Sequence, residues 1–167
     1  MCDSSKLRYK KILNLIVDPT KNLEELIFRA VKVKAKVVSK DFKEGRLREI
    51  LNYGHTLAHA IEKNEKYKLR HGEAVSIGLI FAAELSNIRG VLSEEIVKLH
   101  RNYLESLGLP ISYKANALKT LLATMKSDKK SRGNQLRFIG LERIGKPVWF
   151  EDVSEAEIKK AYARISQ

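Results

Sequence analysis

Apolar residues recur at helical spacing along most of the chain. After Asn22, the residues Leu26, Ala30, Val33 and Val37 fall on one stripe, and Ile27, Val31 and Val38 widen it. Asn22 suits an N-cap, and Glu24 and Glu25 sit in the first turn, where the helix dipole favours acids. Asp41 to Gly45 breaks this helix, and a second is expected from about Arg46 to Glu62, followed by a polar loop over Lys63 to Arg70. His71-Gly72 opens a third. From Ala74 to Ile88 it is apolar on nearly every side, as a central buried helix is, and Gly90 ends it. Ser93, with Glu94 and Glu95, opens an amphipathic helix to Leu107 that Gly108 and Pro110 close. Leu118, Leu121, Leu122 and Met125 mark a helix over Asn116 to Lys126, and Ser127 to Asn134 reads as a basic loop.

The period then changes. Leu136 to Leu141 and Pro147 to Phe150 read as two short strands joined by a turn at Arg143 to Lys146. Ser154 to Glu157 has the form of a capping box for a terminal helix to about Ile165. At the other end, residues 1–21 form a polar, basic arm. Within it, Ile12 to Val17 is a strand or the tail of a helix, stopped by Asp18-Pro19. The fold class expected is mostly α, with one small β-hairpin near 135–150, and residues 22–167 form the helical domain.

One stripe does not fit a core. Arg48, Asn52, His55 and His59 are spaced four, three and four, so a continuous helix would align them on one face. Burying such a stripe against apolar neighbours would leave donors unpaired. It makes a better wall for an anion and a metal. His71 at the mouth of the next helix adds a third imidazole, a pattern that can hold a divalent ion. An HxxxH pair alone also occurs where histidines only cap helices or bond carbonyls. Gly54 within a helix costs about 1 kcal/mol against alanine, which points to a close approach at that residue. His100, in a lysine-rich stretch, is read as a surface residue.

Composition narrows the class. The 167 residues are 44% hydrophobic, enough for one domain with a real core. A lone cysteine, Cys2, excludes a disulfide framework and fits a reducing cytoplasm. No apolar run is long enough for a bilayer, and no signal-peptide pattern is visible. The formal charge of +12 attracts anions. Nucleic acid is not the expected partner, because no reader motif or aromatic stacking platform accompanies the charge. No glycine-rich phosphate loop occurs.

The wording around the histidines is distinctive. It runs Arg48-Glu-Ile-Leu-Asn52-Tyr-Gly54-His55-Thr-Leu-Ala-His59-Ala-Ile-Glu62, then His71-Gly-Glu-Ala-Val-Ser-Ile-Gly78. This resembles the 3-dehydroquinate synthase family, with its R-x-x-L-N-x-G-H-T-x-G-H-A-x-E and H-G-E-A-V-x-x-G. Ala58 departs from it, standing where the family usually has glycine. Val33-Lys34-Ala35-Lys36-Val37-Val38 resembles the family's V-K-A-x-V-V, and Asp41 and Glu44 match its D-x-x-E. Asp128-Lys129-Lys130 with Gly133 matches its D-K-K and following glycine. The likeness covers nearly the whole chain, but only the C-terminal half of the family's enzyme.

The resemblance implies a phosphate-eliminating lyase of the shikimate pathway, cytoplasmic and commonly dimeric when complete. Such an enzyme converts 3-deoxy-arabino-heptulosonate 7-phosphate to 3-dehydroquinate and phosphate with NAD and a divalent metal, zinc or cobalt. The steps are alcohol oxidation, phosphate elimination, ketone reduction, ring opening and aldol closure. On that reading His55 and His71 are metal ligands. Lys34, Arg48, Asn52 and His59 are catalytic and substrate-binding residues, and Lys129 or Lys130 meets the substrate phosphate. The family's NAD site, its glutamate ligand and its A-E-x-x-K lysine lie in the N-terminal half, which this chain lacks. The chain is therefore expected to fold, to need that NAD domain as its partner, and not to turn over alone. Two other readings compete: another sugar-phosphate cyclase, and a non-catalytic basic helical module that binds an anionic polymer.

Overall fold

The structure, a computed structural model, describes residues 15, 18–43, 45–130 and 136–167, without the side chains of 128–130. The Ile12–Val17 run, apart from Leu15, lies outside the described residues, as do Glu44 and Ser131 to Gln135. Six α-helices and one two-stranded sheet are found among the described residues. No helix there is long and apolar enough to cross a membrane. The chain divides into two compact units after Leu51.

The first unit holds α1 (Leu23–Lys40). Asn22 stands at the N-cap but its side chain does not cap. Its amide donates backwards to the carbonyls of Asp18 (2.9 Å) and Leu15 (3.2 Å). Of the apolar stripe on α1 only Val37 is buried, while Leu23, Ile27, Phe28, Val31 and Val33 are each more than half exposed. Beyond the helix, the Asp41 carboxylate takes up two backbone donors of the returning chain. Gly45 N–H lies at 2.6 Å and Arg48 N–H at 2.9 Å. These bonds hold the Asp41 carboxyl below the usual carboxylate range.

The second unit is built on α3 (His71–Ile88), in which eleven residues are buried, including Ile77, Ile80, Phe81 and Leu85. Against it pack α2 (His55–Asn64), α4 (Glu94–Ser106), α6 (Glu155–Ala163) and β1 (Phe138–Arg143). A fifth helix, α5 (Leu118–Lys130), covers α2 and runs on through the segment read as loop from Ser127 to Lys130. Lys and Asp are tolerable in a helix, and no breaker occurs before Gly133. β1 pairs antiparallel with β2 (Lys146–Phe150) around a turn with Gly145 at φ 77°, and Glu142 is extruded as a bulge. The capping box of α6 is formed: Glu157 N–H donates to Ser154 Oγ at 3.2 Å, and Ser154 N–H to Glu157 Oε2 at 2.8 Å.

Inside this apolar unit lies one charged knot. Glu84 on α3 is buried at 6% exposure. Its Oε1 accepts from Arg101 of α4 at 2.7 Å, and its Oε2 from Arg164, just past α6, at 2.9 Å. Arg101 also donates to the Arg164 carbonyl at 2.8 Å, and Arg164 to Asn87 at 2.9 Å. One carboxylate thus ties three helices together.

Candidate functional site

The expected single helix from Arg46 to Glu62 does not form. A five-residue 3-10 helix runs from Arg48 to Asn52, Tyr53 and Gly54 break it, and α2 starts at His55. The cause is Gly54, whose φ of 81° is a left-handed conformation that ends one element and admits the next. The continuous stripe of Arg48, Asn52, His55 and His59 is thereby corrected: Arg48 and Asn52 bound the 3-10 helix, and His55 and His59 lie on α2. The close approach inferred at Gly54 is present. A Cβ there would sit 2.7 Å from the backbone nitrogen of Leu79 on α3, and one on Gly78 would run into the carbonyl oxygen of Gly54. Two glycines therefore let α2 cross α3 backbone to backbone. Ala58, the departure from the family wording, is completely buried at this crossing, so its methyl is accommodated.

That crossing brings three histidines together. His55 opens α2, His59 lies one turn on, and His71 opens α3. The ring centroids are 5.5 Å apart for His55 and His59, 5.4 Å for His55 and His71, and 6.4 Å for His59 and His71. The loop between the helices makes this possible. Lys66 and Tyr67 both take left-handed backbone (φ 50° and 58°), and Tyr67 N–H closes onto the carbonyl of Glu62 at 2.8 Å. Left-handed geometry costs each of these side chains roughly 1 kcal/mol. The turn returns the chain so that His71 meets the end of α2. At the start of α3, Glu73 reaches back to the N–H of Arg70 at 2.9 Å.

Two of the imidazoles have their Nδ1 occupied. His55 Nδ1 donates to the carbonyl of Tyr53 at 3.2 Å. His71 Nδ1 lies 2.9 Å from Glu62 Oε1, to which it donates. In a neutral ring so engaged, Nε2 carries the lone pair that a metal-ligating histidine needs. Burial pushes the proton affinity of His55 down, and the neighbouring His59 and His71 add to this. The neutral form is thus favoured where a ligand must be neutral. Glu62 is half-buried, and sequence reasoning gave it no role although the motif ends on it. Its spacing was the available signal, seven residues after His55 and three after His59 on the same helical face. No group of three or more His, Cys, Asp or Glu among the described residues is arranged to hold a metal by itself.

The other expected residues are distributed as follows. Asn52 is exposed at the end of the 3-10 helix. Lys34 is exposed on α1, and Arg48 is half-buried; both belong to the first unit. Lys129 and Lys130 end α5, with side chains outside the described residues. His100 is not the surface residue expected. It is part-buried on α4, its Nδ1 donates to the Ile96 carbonyl at 2.7 Å, and its Nε2 lies 3.3 Å from the Tyr53 hydroxyl. Sequence alone could not reveal this, because the partner is 47 residues away.

Known proteins share this architecture. Over 86% of this chain, the 3-dehydroquinate synthase of Streptomyces avermitilis is 56% identical, and over 93% that of Mycobacterium leprae is 52% identical. The chain spans only 39% and 45% of the length of these relatives. A 2-epi-5-epi-valiolone synthase structure from Streptomyces hygroscopicus, with NAD+ and Zn2+ bound, superposes with a TM-score of 0.78 at 25% identity, covering 89% of this chain and 41% of that one. A 2-deoxy-scyllo-inosose synthase complexed with carbaglucose-6-phosphate, NAD+ and Co2+ gives 0.71 at 28% identity, covering 86% of this chain and 42% of that one. The family model described as 3-dehydroquinate synthase C-terminal matches residues 3–131, and the chain belongs to this family, corresponding to the C-terminal part of its enzymes.

Proposed function

We propose that the chain is the metal- and substrate-binding part of a 3-dehydroquinate synthase, working with the family's NAD-binding domain in the cytoplasm. The observation that carries this reading is the paired histidines with both Nδ1 atoms engaged. Two imidazoles on one tetrahedral ion have centroids about 5 Å apart, given metal–nitrogen distances of about 2 Å. His55 and His71, at 5.4 Å, fit that spacing. A bound zinc or cobalt ion supplies Lewis acidity toward a substrate hydroxyl or carbonyl oxygen. Two imidazoles alone fall short of the four ligands of a tetrahedral site.

Apart from that of Glu62, the remaining roles are those that the family resemblance implies, and side-chain chemistry is compatible with each. His55 and His71 hold the ion, and Glu62 fixes the ring of His71. His59, exposed beside them, is a contact for substrate. Arg48 suits a bidentate grip on carboxylate or phosphate, and Asn52 hydrogen-bonds the same sugar phosphate. Lys34 and one of Lys129 and Lys130 add positive charge for an anion bearing both groups. The identities above 50% to 3-dehydroquinate synthases, against 25% and 28% to the other cyclases, support 3-deoxy-arabino-heptulosonate 7-phosphate as the substrate.

The test is complementation. The chain is mixed with a separately expressed NAD domain of the family, NAD and zinc, and phosphate release from the heptulosonate phosphate is followed. Activity is expected only in the mixture, and not with His55→Ala. No activity from a folded chain that leaves zinc unbound overturns the proposal. Glu62→Gln is expected to weaken zinc binding in that mixture by roughly ten- to a hundredfold, because Gln supports the ring less well than a carboxylate. Competition with a chromophoric chelator reads this, and unchanged affinity removes Glu62 from the site.

A further inference from the structure

The ring of His71 is held by a side chain, whereas among the described residues that of His55 is held by a backbone carbonyl, that of Tyr53. This carbonyl belongs to the peptide just before Gly54, whose φ is 81°. The packing of Gly54 on α3 holds one end of that peptide. The Tyr53 side chain is placed to anchor the other. Its ring meets His100 edge-on, with centroids 6.0 Å apart and an interplanar angle of 76°. Its hydroxyl lies 3.3 Å from His100 Nε2.

The direction of each bond follows from the acceptor at the far end. The Ile96 carbonyl can only accept, so His100 Nδ1, at 2.7 Å, carries a proton. Burial pushes the proton affinity of His100 down, so Nε2 stays bare and accepts. The Tyr53 hydroxyl is then the donor. The chain of contacts runs from helix α4 through His100 and Tyr53 to the Nδ1 of His55.

We infer that Tyr53 and His100 are positioning residues that hold His55 in the tautomer with Nε2 free. This rests on the reading of His55 as a metal ligand. The two histidines of the centre would then be supported unequally: a carboxylate for His71, and an aromatic strut reaching from another helix for His55. The His71–Glu62 pair does not depend on that strut, so it serves as an internal control.

The test reads ring nitrogens directly. Long-range proton–nitrogen correlation spectra of the metal-free chain distinguish the two neutral tautomers of each histidine. The wild type is expected to show His55 protonated at Nδ1. Tyr53→Phe keeps the ring and removes the hydroxyl, and is expected to give a mixture of His55 tautomers with His71 unchanged. His100→Gln offers an acceptor to the tyrosine and is expected to retain the wild-type pattern, whereas His100→Leu is expected to reproduce the Tyr53→Phe pattern. In the complemented enzyme, zinc affinity is expected to fall on the order of tenfold for Tyr53→Phe. An unchanged His55 tautomer in both Tyr53→Phe and His100→Leu overturns the inference, whatever happens to zinc. Altered tautomers without zinc binding in the wild-type mixture would sustain the strut and refute the metal reading.

Discussion

Gly78→Ala is expected to destabilise the second unit by roughly 3 kcal/mol, at the upper end of overpacking costs. The added methyl would run into the carbonyl oxygen of Gly54 and press on the backbone of Ala58 at 3.3 Å. Both neighbours are backbone atoms at a helix crossing, so no side chain can swing aside. Gly54 has no room to retreat either, because a Cβ on it would lie 2.7 Å from the backbone nitrogen of Leu79 and its φ is in the left-handed region. Gly72→Ala, in the same helix, is the control. Nothing lies within 4 Å of a Cβ there. It is expected to leave stability unchanged or to raise it by up to about 1 kcal/mol through helix propensity. Urea unfolding of the two variants beside the wild type decides the matter. Equal midpoints for Gly78→Ala and wild type would mean that the helices separate easily and that the crossing does not fix the histidines.

Glu84→Ala is expected to cost about 3 kcal/mol. Removing one partner of a buried ion pair typically costs 3–5 kcal/mol, because the remaining charge loses its compensation. Here two guanidinium groups, those of Arg101 and Arg164, would be left facing each other. The lower end of the range applies because Arg164 is about half exposed and can recover water. Arg101 keeps its bond to the Arg164 carbonyl. Arg164→Ala should therefore cost less than Glu84→Ala, since Arg101 still neutralises the carboxylate. Chemical denaturation gives both values. A loss below about 1 kcal/mol for Glu84→Ala would show that the knot adds nothing beyond the apolar packing around it.

Much of this architecture was legible in the residues. The all-round apolar run from Ala74 to Ile88 marked α3 as central, and Ser154 to Glu157 marked the start of α6. The hairpin followed from the change of period after Leu136. What failed to read through was geometry with no local signal. Spacing of four, three and four looks the same whether a helix is continuous or broken, so the left-handed turn at Gly54 was hidden in Arg46 to Glu62. Yet the same glycine did betray a close approach, because a glycine in a helical setting is unfavourable without one. The segment Ser127 to Lys130 reads as loop from its charge, although charge does not end a helix. His100 is the clearest case: its partner Tyr53 comes from a distant part of the sequence, and only the fold unites them. The two site histidines were legible as residues, but not the means by which each is oriented. A carboxylate one helical face away and a carbonyl two residues back are both too ordinary to single out.

The bare stripe on α1 has a consequence for how copies of the chain behave toward one another. At +12 they repel, and at low ionic strength that repulsion holds them apart. The field is screened to a range of about 8 Å at physiological salt. Adhesion between exposed Leu23, Ile27, Phe28, Val31 and Val33 acts at contact and is strengthened by sulfate or phosphate. The two forces therefore respond to salt in opposite senses. Colloidal stability of the isolated chain is an electrostatic property, greatest in dilute buffer and lost by salting out. It is set less by the core of the second unit than by one helix with five apolar side chains each more than half exposed.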